Sequence, residues 1–167
     1  MRGKPLFWTI VTLLVVPAAV MAWIAWGMVD RMRVEAATTD ARLRELAWTV
    51  LAYADANDAF PTSEAALRGF VESHAADAAS AVHAFPASLA KPPRDPAERA
   101  YPMTRAEAAL SGPPASLDAC LDAIDVEWPL APDVQPILRS RGLPTLQGTL
   151  PTVGEWLYAM SERIRGG

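Results

Sequence analysis

The side chains best suited to chemistry in this sequence are two histidines, one cysteine and a group of acidic residues. His74 and His83 are out of phase for one helix face and no cysteine lies beside them, so we predict no zinc site. Cys120 has no second cysteine with which to form an internal disulfide. Its helical surroundings favour a small, buried apolar side chain over a reactive thiol.

The acidic residues near Asp122 are candidates for a calcium site. Asp118, Asp122 and Asp125 can share one side of a helix, where carboxylates attract Ca²⁺. Asp125, Glu127 and Asp133 form a second candidate set if a loop gathers them. The Asp-x-Asp-x-Asp-Gly spacing that places oxygen ligands around a hard cation does not occur in the sequence. We therefore interpret these carboxylates as a solvated surface and predict no metal ligands.

Other kinds of site leave no sequence signal. The chain has no glycine-rich phosphate cradle, nucleophile elbow or redox cysteine pair, so we predict neither catalytic residues, nor a cofactor, nor a small-molecule substrate. The formal net charge is -4, and no basic stripe occurs of the kind that binds phosphate backbones. Nucleic acid is therefore not an expected partner, and function must be argued from architecture.

The dominant architectural feature is an uncharged run from Pro5 to Val29. A helix of that length rises about 37 Å at about 1.5 Å per residue, enough to cross the roughly 30 Å hydrocarbon layer of a bilayer. We predict a transmembrane helix over residues 5–29, preceded by a short tail of residues 1–4. Trp8 near one end, and Trp23 and Trp26 near the other, are predicted membrane-interface anchors.

Three residues inside this run are candidates for helix assembly. Thr9 and Thr12 carry its only hydroxyl groups. Each hydroxyl can bond a carbonyl of its own helix or reach a neighbouring helix in the bilayer. Pro17 is the predicted position of a kink, because its ring removes a backbone hydrogen bond.

A cleaved signal peptide is the alternative interpretation of the same run. Residues 6–16 would be its apolar core, Pro17 its breaker, and Val20-Met21-Ala22 its cleavage site. The apolar run continues through residues 23–29, which favours a permanent anchor, because a mature soluble terminus has no reason to keep it. Basic residues flank both ends of the run in nearly equal number, so charge leaves the orientation open.

Residues 30–54 are predicted to extend the helix as an amphipathic stem that ends near Tyr53, with residues 55–167 forming a globular head. The predicted packed side of the stem consists of Met32, Ala36, Leu43, Ala47, Val50 and Ala54. The predicted solvated side consists of Arg31, Glu35, Thr38, Arg42, Glu45 and Thr49.

The head is predicted to be rich in helix. The stretch 55–58 favours a turn, and Thr62 or Ser63 is the N-cap of a following helix. Further predicted elements are a short helix opened by a capping box at 104–107, a helix from Ser116 through 124, an edge strand at 126–130, a helix at 133–141, an extended stretch at 143–150, and a final helix opened by a capping box at 152–155. The predicted fold is mainly α, at most α+β with a small antiparallel sheet.

Three stretches resemble the major pseudopilins of the type II secretion system, within the type IV pilin superfamily. Residues 8–18, Trp-Thr-Ile-Val-Thr-Leu-Leu-Val-Val-Pro-Ala, are similar to the mature start Phe-Thr-Leu-Ile-Glu-Leu-Leu-Val-Val-Ile-Ala. Residues 57–67 resemble Asp-Asn-x-x-Tyr-Pro-Thr-Thr-Glu-x-x-Leu, and residues 93–101 share the spacing of Pro-x-Asp-Pro-Trp-Gly-x-Pro-Tyr. The matching motif positions in the last two stretches are Phe60, Pro61, Thr62, Glu64, Leu67, Pro93, Asp95, Pro96 and Tyr101.

Two departures from the family pattern concern its processing. The family is cut after a glycine just before the mature phenylalanine, and here Phe7 stands at that glycine position. Thr12 stands where the family has a glutamate whose carboxylate pairs with a neighbouring subunit's free amine. An uncleaved chain has no amine at Trp8 to pair with, so the two departures agree with each other. We expect the mature protein to keep residues 1–7.

The resemblance implies a structural subunit anchored in the bacterial inner membrane by a single pass, with the tail of residues 1–4 in the cytoplasm and the C-terminal domain in the periplasm. Its expected partners are the membrane and other pilin-like subunits or proteins of a secretion platform. The alternative is a stand-alone single-pass envelope protein whose head binds a periplasmic partner.

Overall fold

The structure is a computed structural model that describes residues 4–74, 116–145 and 149–166; for residues 4–12 it describes the backbone. Its first element is α1 (Lys4–Asn57), a single α-helix of 54 residues. The predicted transmembrane and stem segments are therefore one continuous helix. Helix α1, three shorter helices and one two-stranded antiparallel sheet confirm the predicted mainly α fold.

Helix α1 ends later than predicted. The expected turn at Asp55-Ala56-Asn57 is its last turn, and Asp58 follows with a left-handed φ of 48°. Two contacts explain the extension, because they satisfy carbonyls that a helix end leaves without partners. The Asn57 side-chain amide donates to the Tyr53 carbonyl at 2.8 Å, and the Ala54 carbonyl accepts from a side chain of the last helix.

Helix α2 (Glu64–Ser73) begins where the sequence predicts. Of the two predicted caps, Ser63 is the residue used, because its hydroxyl accepts from the Ala66 amide at 3.3 Å. Phe60 and Leu67 are fully buried on either side of this cap, which anchors the start of α2 to α1.

Helix α3 (Leu117–Ala123) runs directly into strand β1 (Ile124–Glu127), which pairs antiparallel with β2 (Ile137–Ser140). Ser116 caps α3 as predicted, by accepting from the Ala119 amide at 3.2 Å. The predicted strand at 126–130 is shifted, because β1 begins at Ile124 and ends before Trp128 and Pro129.

The predicted helix at 133–141 is wrong. Residues 131–134 form a turn and β2 follows. The physical reason is Pro136, because the residue before a proline, here Gln135, is driven from the α region toward extended backbone, which interrupts a helix that begins at 133. The apolar spacing that suggested a helix belongs to a strand with Leu138 buried and Ile137 exposed.

Helix α4 (Thr149–Gly166) is the predicted final helix, but it begins earlier than the capping box at 152–155. Thr152 and Glu155 lie within the helix, and Thr149 and Leu150, predicted as extended, are already helical. Pro151 falls in the first turn, where its missing amide hydrogen leaves no bond unmade. The predicted apolar stripe is confirmed: four of its members are buried and Ile164 packs against the core, the buried four being Val153, Trp156, Leu157 and Met160.

The elements α2 to α4, here called the head, pack around the second half of α1. The core cluster contains Leu43, Leu46, Ala47, Val50, Leu51, Ala54, Phe60, Leu67, Cys120, Leu121, Ala123, Ile124, Leu138, Val153, Trp156, Leu157 and Met160. The packed side predicted for the stem is largely confirmed, although Met32 lies before the head and is 56% exposed. The predicted solvated side is wrong at Thr49, which is buried. Its hydroxyl is satisfied by donating to the Glu45 carbonyl at 2.9 Å.

Candidate functional site: helix α1 and its attachment to the head

The first candidate feature is an exposed apolar length of α1, residues 13–29, here called the exposed run. Leu14 is 67% exposed, and Trp23 and Trp26 are 79% and 73% exposed. In the part of the chain that the structure describes, α1 is the one helix long and apolar enough to cross a membrane, and none of its apolar window is buried. So large an apolar surface is unfavourable in water and marks a membrane or partner contact.

The head-proximal end of the exposed run has the composition of a membrane interface. Trp23 and Trp26 are followed at once by Asp30, Arg31 and Arg33. Amphipathic indole rings favour the headgroup level, and charged side chains favour the water beyond it. Among residues 13–57 of α1, whose side chains the structure describes, Ala36 is the first that is buried. A short charged segment therefore separates the exposed run from the head.

The residues predicted for helix assembly lie in or before the exposed run. Thr9 and Thr12 lie in the helical backbone of α1, and Pro17 lies inside the helix with α-helix on both sides. The kink at Pro17 and the interhelical role of the hydroxyls stay predictions. In the stem, Thr38 and Thr39 each donate to the carbonyl four residues back at 2.9 Å, which is the local alternative for Thr12 as well.

A buried polar contact fastens the head to α1 at the end of the stem nearest the exposed run. Asp40 is 2% exposed, and its carboxylate accepts a hydrogen bond from the Thr149 hydroxyl at 2.8 Å. Thr149 is the first residue of α4, where a negative charge is favoured by the unpaired amides and the helix dipole. This contact holds the start of α4 one helical turn beyond Ala36 of α1.

A second polar contact fastens α4 to the far end of α1. Arg163 lies 3.1 Å from Asp55 and 3.3 Å from Asp58, and it donates to the Ala54 carbonyl at 3.4 Å. A guanidinium at the C-terminus of α1 satisfies an unpaired carbonyl and opposes the negative end of the helix dipole.

The two contacts show that α4 lies parallel to α1 in a fixed register. The pairs Asp40–Thr149 and Ala54–Arg163 are each separated by 109 residues along the chain. Between them, the rings of Trp48 and Trp156 stack with their centroids 6.3 Å apart. Helix α4 therefore acts as a splint along the second half of α1, and one continuous helix joins the head to the exposed run.

The pseudopilin-like motif at 60–67 forms the corner between α1 and α2. Phe60, Pro61 and Leu67 are buried, whereas Thr62 and Glu64 are exposed. The Phe60 amide donates to the Pro132 carbonyl at 2.7 Å, which ties this corner to the β1–β2 loop. The motif positions Pro93, Asp95, Pro96 and Tyr101 lie outside the described residues, as do His83 and the predicted helix at 104–107.

The residues considered for metal or thiol chemistry have ordinary environments. Asp118 pairs with Arg68, and Asp122 and Asp125 are exposed. Within residues 4–74, 116–145 and 149–166, no group of three or more histidine, cysteine or acidic residues could hold a metal ion. Cys120 is buried, and burial, reinforced by the charge of Glu45, raises the pKa of its thiol to about 12. The protonated thiol is a poor nucleophile.

Sequence reasoning missed the attachment of the head, because its contacts join residues far apart in the chain. Pro151 was a usable signal for the true start of α4, since proline is common in the first turn of a helix.

Comparisons with protein-family models, curated proteins and solved structures found no match to this chain.

Proposed function

We propose that this protein is a membrane-anchored, pilin-like structural subunit of a type II secretion or type IV pilus-like assembly. The observation that carries the proposal is α1 itself. One unbroken helix of 54 residues is apolar and exposed over residues 13–29 and forms the axis of a globular head in its second half. A subunit that packs into a helical assembly needs this combination, because the exposed half can pack against neighbouring helices while the head stays outside.

The rigid attachment of the head supports a structural role. In an assembly, the position of each head must follow the position of its helix, and a flexible linker would uncouple them. Here the contacts of Asp40 and Arg163 fix α4 along α1 at both ends. Movement of the exposed run in a membrane or filament would therefore be transmitted directly to the head.

The location follows from the proposed family. The exposed run would cross the bacterial inner membrane once, with the head in the periplasm and residues 1–4 in the cytoplasm. Its partners would be other pilin-like subunits or proteins of the secretion platform. The chain would act without a cofactor or a small-molecule substrate, and not as an enzyme.

A stand-alone single-pass protein that binds a periplasmic partner is the second candidate. Phe7 and Thr12 favour it, because the family's cleavage glycine and assembly glutamate are missing at these positions. An unprocessed helix that still assembles must rely on close packing and interhelical hydrogen bonds, since lipid gives apolar surfaces no drive to associate.

Processing is tested by the intact mass of the protein purified from membranes that contain an active prepilin peptidase. We expect a mass that retains residues 1–7. The matched variant Phe7→Gly should be cut before Trp8 if the remaining signature is recognised. A wild-type mass that begins at Trp8 would contradict the unprocessed state, and one that begins at Trp23 would establish a cleaved signal peptide and no anchor.

Assembly is tested by cysteine crosslinking within the exposed run in native membranes. Thr12→Val removes a hydroxyl that can contribute on the order of 1 kcal/mol between helices, so the crosslinked fraction should fall modestly. Thr12→Glu should either increase assembly or, without a free amine partner, remove the chain from the membrane at a cost of a few kcal/mol. Thr38→Val is the control, because that hydroxyl bonds to its own helix in the stem. If both Thr12 variants behave like wild type, α1 is an anchor alone and the partner-binding candidate takes first place.

A further inference from the structure

The arginines that follow the exposed run differ from those of the head. Arg31 and Arg33 are exposed, and neither makes an ion pair or a side-chain hydrogen bond with a residue that the structure describes. Glu35 is one helical turn from Arg31, yet the two side chains do not pair. By contrast, five arginines of the head each lie 3.9 Å or less from a carboxylate oxygen, namely Arg68, Arg139, Arg141, Arg163 and Arg165. The donors of Arg31 and Arg33 are therefore available to a ligand.

Both arginines lie at the level of the lipid headgroups if a bilayer holds the exposed run. Val29 is the last residue of the uncharged run and marks the edge of the hydrocarbon. At about 1.5 Å per residue, the Cα atoms of Arg31 and Arg33 lie about 3 Å and about 6 Å beyond it. The headgroup layer on each side of the hydrocarbon is roughly 5–7 Å thick, so both Cα atoms fall within it.

The direction of α1 brings the two guanidinium groups closer to the bilayer. In an α-helix every Cα–Cβ bond tilts toward the N-terminus, and the exposed run lies N-terminal to both arginines. The long side chains therefore lean toward the lipid, with their apolar stems along the helix and their charged ends among the headgroups. Arg31 and Arg33 are about 200° apart around the helix axis, so they reach different lipid molecules.

The charge of residues 30–35 favours a direct contact over a long-range attraction. This segment has two cationic and two anionic side chains, so it has no net charge. Attraction to anionic lipids through the surface potential requires a cluster of basic residues. A guanidinium, however, binds a single phosphate group through its planar fork of donors. The chemistry therefore fits the phosphate group that all phospholipids share.

We propose that Arg31 and Arg33 each bind the phosphate group of a phospholipid, in the leaflet nearest the head. Their guanidinium N–H groups donate to the phosphate oxygens. These contacts hold α1 at one depth in the bilayer and, because α4 fastens the head to the same helix, they set the height of the head above the membrane. The inference rests on the part of the proposed function that places the exposed run in a bilayer, and is independent of assembly with other subunits.

The contact is measured by solid-state NMR on the full chain in phosphatidylcholine nanodiscs. Arginine is labelled with ¹³C at Cζ, and dephasing of this carbon by lipid ³¹P reports their separation. Every protein carries Arg2→Gln, so that this arginine gives no signal from the opposite leaflet. We expect dephasing that corresponds to a Cζ–phosphorus distance of about 4 Å, as direct guanidinium–phosphate hydrogen bonds require. An absence of dephasing in this parent protein would overturn the proposal.

Two double variants assign the dephased signal to residues. Arg31→Gln with Arg33→Gln removes the two labelled carbons that we expect to contact phosphate, so most of the dephased signal should disappear. Arg139→Gln with Arg141→Gln is the control, because it removes two labelled carbons whose guanidinium groups pair with Glu127 and Asp125 in the head. That control should keep the dephased signal of the parent. Equal dephased signals in the two double variants would overturn the assignment.

Further samples identify the source of the phosphate. Nanodiscs that also contain phosphatidylglycerol should give the same dephasing, and dephasing that requires phosphatidylglycerol would overturn recognition of the shared phosphate. In maltoside micelles, which contain no phosphorus, added inorganic phosphate should give no dephasing. Dephasing as strong as in nanodiscs would assign both arginines to a free anion. A parent chain that does not enter nanodiscs would overturn the anchor in the proposed function as well, whereas entry without dephasing would overturn this inference alone.

Discussion

The two halves of α1 place similar apolar residues in opposite environments. Leu14 in the exposed run is 67% exposed, whereas Leu46 in the stem is fully buried against the head. The exposed run carries no charge, while the stem includes the buried polar residues Thr39, Asp40 and Thr49, each with a hydrogen bond. A protein partner can satisfy individual polar groups, but the hydrocarbon of a bilayer cannot. Polar content, more than apolar content, therefore distinguishes the half of α1 that packs against the head from the half that is exposed.

The largest expected effect is on the free energy of unfolding when a leucine in each half of α1 is replaced by alanine. Leu46→Ala should lower the free energy of unfolding of the head by about 2–5 kcal/mol, because it leaves a cavity in the core. Leu14→Ala removes the same atoms from the exposed run and should leave that free energy unchanged. Denaturant unfolding of the full chain in micelles, followed by tryptophan fluorescence, measures both. Equal losses in the two variants would mean that the exposed run is part of the folded core.

The next effect concerns the buried contact between Asp40 and Thr149. Thr149→Val should cost about 1–3 kcal/mol of unfolding free energy, because the buried Asp40 carboxylate loses the hydrogen bond from the Thr149 hydroxyl. Thr149→Ser keeps the hydroxyl and serves as the control, with a smaller loss from the missing methyl group. The same unfolding assay compares the two. A Thr149→Val chain as stable as the serine variant would show that this contact does not fasten the head.

Alkaline pH should lower the free energy of unfolding of the head through the thiol of Cys120. The folded-state pKa of its thiol is raised from 9.0 to about 12, so the unfolded chain loses this proton first. The contribution of this thiol to the free energy of unfolding is fully present below pH 9.0. It declines as the pH rises toward about 12, by at most about 1.4 kcal/mol per pH unit. Unfolding measured from pH 8 to 11 should show a smaller decline in Cys120→Ala. Parallel declines in the two proteins would contradict this assignment.

The smallest expected effect is at the far end of the splint. Arg163→Gln should lower the free energy of unfolding by about 1 kcal/mol. The C-terminus of α1 loses the guanidinium charge that opposes its dipole, and the Ala54 carbonyl loses a hydrogen-bond donor. Arg165→Gln is the matched control, since Arg165 makes longer, exposed contacts with Asp133 and Glu162. The difference between the variants should appear as a lower thermal midpoint for Arg163→Gln alone. A larger shift for Arg165→Gln would reverse the assignment.

Local signals in the sequence were enough for the long helix, the cap at Ser63, the cap at Ser116 and the apolar stripe of α4. Each depends on neighbours within a few residues, which the sequence displays directly. The errors at 133–141 and at Thr152 came from giving periodicity and a capping box more weight than Pro136 and Pro151. Proline sets hard limits on backbone geometry, whereas periodicity can be met by more than one element.

The attachment of the head could not be predicted by the same reasoning. Asp40 looks like a solvated charge on an amphipathic stem until Thr149, which is 109 residues away, is placed beside it. The same separation joins Ala54 and Arg163, so the parallel register of α4 on α1 is a property of the folded chain and of no single segment.

The division of α1 into a lipid-facing half and a head-facing half is tested most directly by spin labels in nanodiscs. Single cysteines at Val16, Ile24 and Glu35, in a Cys120→Ala background, are labelled and their collisions with oxygen and with a water-soluble nickel complex are compared. Oxygen concentrates in hydrocarbon and the nickel complex in water. We predict that labels at positions 16 and 24 collide mainly with oxygen, and that the label at position 35 collides mainly with nickel. Strong nickel collisions at 16 and 24 would contradict a membrane-embedded exposed run and, with it, the central claim.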